Sequence, residues 1–196
     1  MGSSRPSRCA VDFTKLVKHT TTQAISMDTE LKAIDIDAII NTMADELAQM
    51  MERKQIVEPL MIGVHTGGLW VAEKLHQKLG LNKPLGEIDI SFYRDDFSRI
   101  GLNPQVKPSN IPAKVENEHI ILVDDVLYTG RTIRAALNEI FDYGRPDSVT
   151  LAVLVDRGAR ELPLHADIVG VKLDLLPEKQ VKLIGPAPLA LETNRN

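Results

Sequence analysis

Residues Ile120 to Thr132 read I-I-L-V-D-D-V-L-Y-T-G-R-T. The opening Ile120-Ile121-Leu122-Val123 is apolar at every position, as in a strand covered on both faces rather than one half-exposed to water. Two adjacent carboxylates follow, Asp124 and Asp125. The turn Val126 to Thr132 then leads into a helix whose apolar positions are Ile133, Ala136, Leu137, Ile140 and Phe141. Gly144 and Pro146 stop that helix, as a glycine cap and a following proline do. A buried strand that feeds a helix through a short loop is one unit of an α/β fold.

The same alternation extends in both directions. Downstream, Val149 to Val155 is a second continuous apolar strand, and Ile168 to Leu173 is expected as the last one. Upstream, Leu60 to Val64 reads as a buried strand ending in His65-Thr66-Gly67-Gly68, with a helix from about Leu69 to Leu79 after it. Before it, Ile36, Ile39, Ile40, Met43, Leu47, Met50 and Met51 form the stripe of an amphipathic helix, with Asp35, Asp37, Asp45, Glu46 and Glu52 on its outer face. Ile88 to Tyr93 alternates like a strand. The segment from Arg94 to about Glu118 holds Gly101, Pro104, Pro108 and Pro112 and reads as a loop or long hairpin. The expected architecture is α/β and doubly wound, a mainly parallel sheet flanked by helices, in which ligands bind at the carboxyl ends of the strands.

Composition narrows the function classes. A chain of 196 residues, 43% hydrophobic and 26% charged, fits one globular domain and excludes wholesale disorder. Aromatic residues at 4% disfavour a single-strand binder built on stacked bases, and a net charge of −4 disfavours a surface that grips phosphate backbones. Cys9 stands alone, so it forms neither an internal disulfide nor a cysteine metal site, which suits a reducing cytoplasm. Met1 to Ser26 lacks the apolar core of a secretory signal, and Pro6 occupies the place where myristoylation needs Ser or Thr. Residues 1–26 are expected as a flexible extension, 27–176 as the folded domain and 177–196 as a C-terminal tail. No stretch approaches the ~18 apolar residues that span a membrane.

Three strand ends carry the chemistry: His65 to Gly68, Asp124 to Thr132, and Asp156-Arg157-Gly158. At the middle one, backbone N–H groups gather at a helix N-terminus, where the dipole favours an anion. Gly130 lets a phosphate approach the backbone, and Thr129 and Thr132 add hydroxyl donors. Neither the P-loop pattern nor the dinucleotide fingerprint is present. Asp124 and Asp125 would repel a bare phosphate, so they suit sugar hydroxyls or a hydrated Mg2+ instead. Phosphate, ribose and metal together describe a phosphorylated sugar. Read singly, each element has a plainer role. Asp124-Asp125 could be solvated carboxylates, His65 to Gly68 a structural turn, and Asp156-Arg157-Gly158 a salt-bridged turn. Trp70 and the methionines of the first helix read as core or oligomer contacts, and His19, His76, His119 and His165 lack metal-ligand spacing.

Ile120 to Thr132 resembles the phosphoribosyl pyrophosphate (PRPP) motif of type I phosphoribosyltransferases. G-E-I-D-I-S-F-Y-R-D-D at Gly86 to Asp96, and L-A-V-L-V-D-R-G at Leu151 to Gly158 with E-L-P after it, are similar to the PyrR family of pyrimidine-operon attenuators and uracil phosphoribosyltransferases. The resemblance covers roughly Ile34 to Val169. It implies the type I fold, with a flexible loop or hairpin and a small hood, and the reaction of uracil with PRPP to give UMP and pyrophosphate. It implies that Asp124 and Asp125 hold the ribose 2′- and 3′-hydroxyls, with Mg2+ nearby through water. PRPP would lie along Asp124, Asp125, Val126, Leu127, Tyr128, Thr129, Gly130, Arg131 and Thr132, with the 5′-phosphate over Tyr128 to Thr132. His65, Thr66, Gly67 and Gly68 correspond to the pyrophosphate loop, with a glycine pair where relatives commonly carry a basic residue. Arg94 would neutralise the leaving group from a closing loop, and Val155, Asp156 and Arg157 would face the base.

The resemblance further implies a homodimer or higher oligomer. It leaves orotate or a purine as alternative bases, since the PRPP motif sees only the shared substrate. It also implies a second activity, a UMP- or UTP-responsive regulator that binds pyrimidine-operon RNA. RNA binding needs a positive face. The first helix exposes chiefly acids, Ala159 separates Gly158 from Arg160, and His165 to Leu173 offers only Lys172, so RNA is the disfavoured partner.

Overall fold

The computed structural model describes residues 34–90, 109–173, 175 and 179–195. Helix α1 spans Ile36–Lys54, β1 Leu60–Val64, α2 Gly67–Leu79, β2 Gly86–Ile88, β3 His119–Leu127, α3 Arg131–Tyr143, β4 Ser148–Asp156 and β5 Ile168–Lys172. The strands pair in parallel in the order β2-β1-β3-β4-β5. Two further strands, β6 (Lys179–Ile184) and β7 (Ala190–Arg195), form an antiparallel pair of their own.

Strand periodicity explains why the sheet residues read as unbroken apolar runs. Met61, Ile121, Val123, Ala152 and Leu154 face one core, shared with Ile40, Met43 and Leu47 of α1 and Val71 and Leu75 of α2. Leu60, Ile62, Ile120, Leu122, Leu151 and Val153 face the other, which Ile133, Ala136 and Ile140 of α3 close. Successive side chains of a strand point to opposite faces, and both faces are covered, so both parities are mainly apolar over the length that the helices cover. Each fully buried Leu or Ile contributes about 1.5–3 kcal/mol relative to exposure. At the start of α1, the Asp35 carboxylate accepts a hydrogen bond of 3.0 Å from the Ala38 N–H. This satisfies one of the donors that a helix start leaves open.

Several boundaries differ from the sequence expectation. β3 does not end at Val123. It continues through both carboxylates to Leu127, because β4 runs beside it in register as far as Asp156, with Asp124 opposite Val153 and Leu127 opposite Asp156. α2 begins at Gly67 rather than near Leu69, so the glycine pair belongs to its first turn. β2 covers only Gly86–Ile88. Its outer edge is bridged at Glu87 by Asn110, and the Asp89 N–H turns to Ser109 Oγ at 3.1 Å. Tyr93 to Asp96 lie outside the described residues, as does the extension 1–26.

Ile168–Lys172 is not the last strand, since β6 and β7 lie within 177–196, the segment expected as a tail. Val181, Leu183 and Leu191 are buried in the first core, and Trp70 of α2 packs so closely beneath Gly185 that a Cβ there would lie 2.5 Å from its ring. The alternation of Val181 and Leu183 with Lys182 and exposed Ile184 is the period-2 signal that marks this strand.

Candidate active site

The parallel register brings the carboxyl ends of β1, β3 and β4 to one edge of the sheet. Gly63 lies opposite Val123, and Val123 opposite Ala152. The residues just beyond therefore meet: His65 to Gly68, the Asp124-Asp125 pair with the turn after it, and Asp156 to Gly158. Six polar side chains are buried among the described residues, and five of them are here: His65, Asp124, Asp125, Thr129 and Arg157. Burying polar and charged groups is costly, so their concentration at one edge marks a site rather than a chance feature.

The carboxylates sit under the N-terminus of α2. Asp124 Oδ1 accepts the Asp125 N–H at 3.0 Å. A Cβ on Gly67 would lie 2.3 Å from Asp125 Oδ2, and one on Gly68 would lie 2.7 Å from the Val123 carbonyl oxygen. The glycine pair thus has a steric cause: α2 starts directly against the backbone and side chains of β3. His65 is pinned on its other side, its N–H donating to the Ile88 carbonyl and its Nε2 lying 2.8 Å from Glu87 Oε2.

The turn after β3 opens α3. Gly130 has φ +94°, a left-handed conformation that suits glycine, and Thr129 Oγ1 accepts the Arg131 N–H at 3.3 Å. At the end of β3, half-buried Val126 packs against the first core and Leu127 is buried in the second, so Leu127 can reach a ligand only through its backbone. Val155 is likewise buried in the core. The exposed Arg131 guanidinium pairs with Glu161 at 2.6 Å.

On the β4 side, Arg157 stacks over the Tyr128 ring, 4.1 Å from its centroid, and its Nη2 donates to the Lys179 carbonyl of β6. Its Nε is buried without a hydrogen-bond partner among the described residues, and burial pushes the guanidinium pKa down. A desolvated donor left open at this edge is a group that a ligand oxygen would satisfy. Burial also acts to raise the Asp156 pKa. The Gly158 N–H and the Arg160 guanidinium outweigh it and hold the carboxyl below its ordinary value.

The phosphoribosyl transferase domain model matches residues 30–190 of this sequence. The chain belongs to the phosphoribosyl transferase family. It is 60% identical over 159 residues to a Bifunctional protein PyrR of Nitrosococcus oceani, covering 80% of this chain and 90% of that one. It is 56% identical over 154 residues to the Bifunctional protein PyrR of Pseudomonas paraeruginosa, covering 79% and 91%. Among solved structures, a hypoxanthine-guanine phosphoribosyltransferase of Bacillus anthracis matches with a TM-score of 0.59 over 73% of this chain and 83% of that one, at 19% identity, which shows the shared fold. A Trypanosoma cruzi hypoxanthine phosphoribosyl transferase matches with a TM-score of 0.56 at 26% identity, over 70% of this chain and 73% of that one.

In this phosphoribosyltransferase the described site candidates converge as three loops on one edge, while Arg94 lies outside the described residues. Two members of the site were not anticipated. Glu87 holds His65, and Arg160 bonds to both the turn after β3 and the turn after β4. Neither role is marked in the sequence, because Glu87 meets a residue 22 positions away and Arg160, apart from its pair with Asp156, meets backbone carbonyls.

Proposed function

We propose that this phosphoribosyltransferase transfers the phosphoribosyl group of PRPP to uracil, giving UMP and pyrophosphate. The observation that carries the reading is the pair of buried adjacent carboxylates, Asp124 and Asp125, set between the N-termini of α2 and α3. Helix N-termini attract phosphates, and carboxylates accept hydrogen bonds from hydroxyls. This order of groups suits a ribose with a phosphate at each end. The V-D-R-G sequence at Val155 to Gly158 and the identity to proteins named Bifunctional protein PyrR support uracil as the base.

The 5′-phosphate is received by the N–H groups of Tyr128 to Thr132 and by the Thr129 and Thr132 hydroxyls. The ribose hydroxyls donate to Asp124 and Asp125. As the bond to pyrophosphate breaks, positive charge grows on the ring, and the same carboxylates stabilise it. The leaving group is held by the loop His65 to Gly68 through its backbone and by Arg94, which lies outside the described residues. Asp124 and Asp125 are hard carboxylate donors of the kind that would hold a hydrated Mg2+. When bound, it neutralises charge on the departing pyrophosphate. The residues Val155, Asp156 and Arg157 present the base, chiefly through main-chain groups, since the Val155 and Arg157 side chains are buried. The enzyme works as a homodimer or larger oligomer in the cytoplasm. Among the described residues no helix is long and apolar enough to cross a membrane.

A base panel tests the reading. With PRPP and Mg2+, uracil is expected to give nucleotide and pyrophosphate, and orotate and hypoxanthine are not. Product from orotate or hypoxanthine alone would reject the uracil assignment.

A second reading, a UMP- or UTP-responsive regulator of pyrimidine-operon RNA, is favoured by the bifunctional designation of the relatives. Against it stand the exposed acids of α1, Asp35, Asp37, Asp45, Glu46 and Glu52, and the engagement of Arg160 inside the fold. Phosphate contacts supply most RNA affinity, so titration of pyrimidine-leader RNA in the presence of UMP is expected to show at best micromolar binding. Nanomolar binding would make regulation the principal role.

A further inference from the structure

The β3–β4 ladder ends at the pair Leu127 and Asp156. The cradle Tyr128 to Thr132 and the turn Arg157 to Gly158 follow that last rung, and no strand pairing holds them together beyond it. Arg160 stands in the gap. Its Nη1 donates to the Tyr128 carbonyl at 2.7 Å, the Gly158 carbonyl at 2.8 Å and the Leu127 carbonyl at 3.3 Å. Its Nε donates to the Leu164 carbonyl at 3.2 Å, and its Nη2 to Asp156 Oδ1 at 2.6 Å. Asp156 Oδ1 also accepts the Gly158 N–H at 2.8 Å. The side chains of Arg160 and Asp156 are only 15% and 17% exposed, so water does not easily replace these bonds.

We infer that Arg160 is a positioning residue that fixes the phosphate cradle and the base-side turn to each other. The inference rests on the reaction proposed above and deepens it. As the bond from C1′ to pyrophosphate breaks and the uracil nitrogen gives up its proton, the reaction joins C1′ of the ribose, whose 5′-phosphate the cradle holds, to that nitrogen at the turn after β4. Their separation matters more than the placement of either alone, and a misplacement of about 1 Å costs on the order of 100-fold in rate. A guanidinium is planar, with N–H donors in a fixed fork, so it can hold several acceptors at set angles. An ammonium on a flexible stem cannot. The rest of the segment supports the same arrangement, since the Glu161 and Leu162 N–H groups donate to the Thr129 carbonyl at 3.0 and 3.2 Å.

The test compares a ligand that bridges the two halves with ligands that occupy one half each. Affinities for UMP, ribose 5-phosphate and uracil are measured by calorimetry for the wild type, Arg160→Gln and Arg160→Lys, together with kcat and the melting temperature. In Arg160→Gln the UMP affinity is expected to fall by about 30-fold, the affinity for each fragment by less than about 3-fold, and kcat by about 100-fold. Arg160→Lys is expected to keep its pair with Asp156 and still lose UMP more than either fragment, so it serves as the probe if the glutamine variant does not fold. A purely structural arginine would lower the melting temperature while UMP and the fragments weakened equally, and that result would overturn the inference. If the wild type forms a different nucleotide in the base panel, the same ratio is measured with that nucleotide. A failed uracil assignment and a failed role for Arg160 are then read separately.

Discussion

Replacing both Asp124 and Asp125 by asparagine is expected to lower kcat/KM for uracil and PRPP by about 1,000-fold or more, while leaving the protein at least as stable as the wild type. Asparagine keeps the shape and one acceptor oxygen of each side chain, so packing under α2 changes little. The charge disappears. Removing one group preorganised for transition-state charge costs about 100- to 1,000-fold elsewhere, and two adjacent carboxylates facing one developing cation act as a unit, so their losses need not add. Stability moves the other way, because two like charges buried side by side oppose folding. Asp124 and Asp125 are 3% and 7% exposed, and Asp125 has no ion pair among the described residues. Relief of that repulsion offsets the lost hydrogen bonding. Steady-state kinetics and urea denaturation on the same preparation check both halves. Unchanged turnover would remove these carboxylates from the mechanism, and a large loss of stability would make them structural.

Gly67→Ala is expected to be the most damaging single methyl group at this edge. Its Cβ would stand 2.3 Å from Asp125 Oδ2, 2.6 Å from Cγ and 2.9 Å from Cβ, so either the carboxylate swings away or the first turn of α2 lifts. Overpacking of this kind costs about 1–3 kcal/mol. Displacement of the carboxylate by about 1 Å costs on the order of 100-fold in kcat/KM. Gly80→Ala is the control. Gly80 caps the other end of the same helix at φ +60° with nothing within 4 Å of an added Cβ. It should lose roughly 1 kcal/mol from backbone strain alone and retain full activity. Adding Asp125→Ala to Gly67→Ala should recover part of the stability but not the rate, because the clashes with Oδ2 and Cγ go, the 2.9 Å approach of the two Cβ atoms stays, and the carboxylate is lost. A Gly67→Ala enzyme with wild-type kinetics would show that the contact between α2 and Asp125 is irrelevant to turnover.

The site was legible in unequal parts. Asp124, Asp125, Thr129 and Gly130 announce themselves because their chemistry is local, an apolar strand, two acids, then hydroxyl and glycine at a helix start. The glycine pair at Gly67 and Gly68 reads as part of a pyrophosphate loop that lacks a basic residue, but its steric cause is not legible, since the atoms that forbid a side chain belong to β3, more than fifty residues away. Val126, Leu127 and Val155 sit within the expected motifs, yet their side chains belong to the two cores. Arg160 looked like a residue displaced from a basic surface by Ala159. Its bonds go mostly to carbonyl oxygens, which every residue has and which carry no signature in the letters.

What the amino-acid order determines by itself is the set of buried strands, the helices between them and the loop that follows Asp124-Asp125, because hydrophobic period and turn chemistry act between near neighbours. Tertiary structure alone decides how far β3 runs, which it does by pairing with β4 up to Asp156. It also decides that β6 and β7 fold back to bury Val181, Leu183 and Leu191, and that one guanidinium spans the gap where the ladder ends. Those outcomes depend on backbone groups and close approaches between distant segments. Such contacts exist only once the sheet has set the distances.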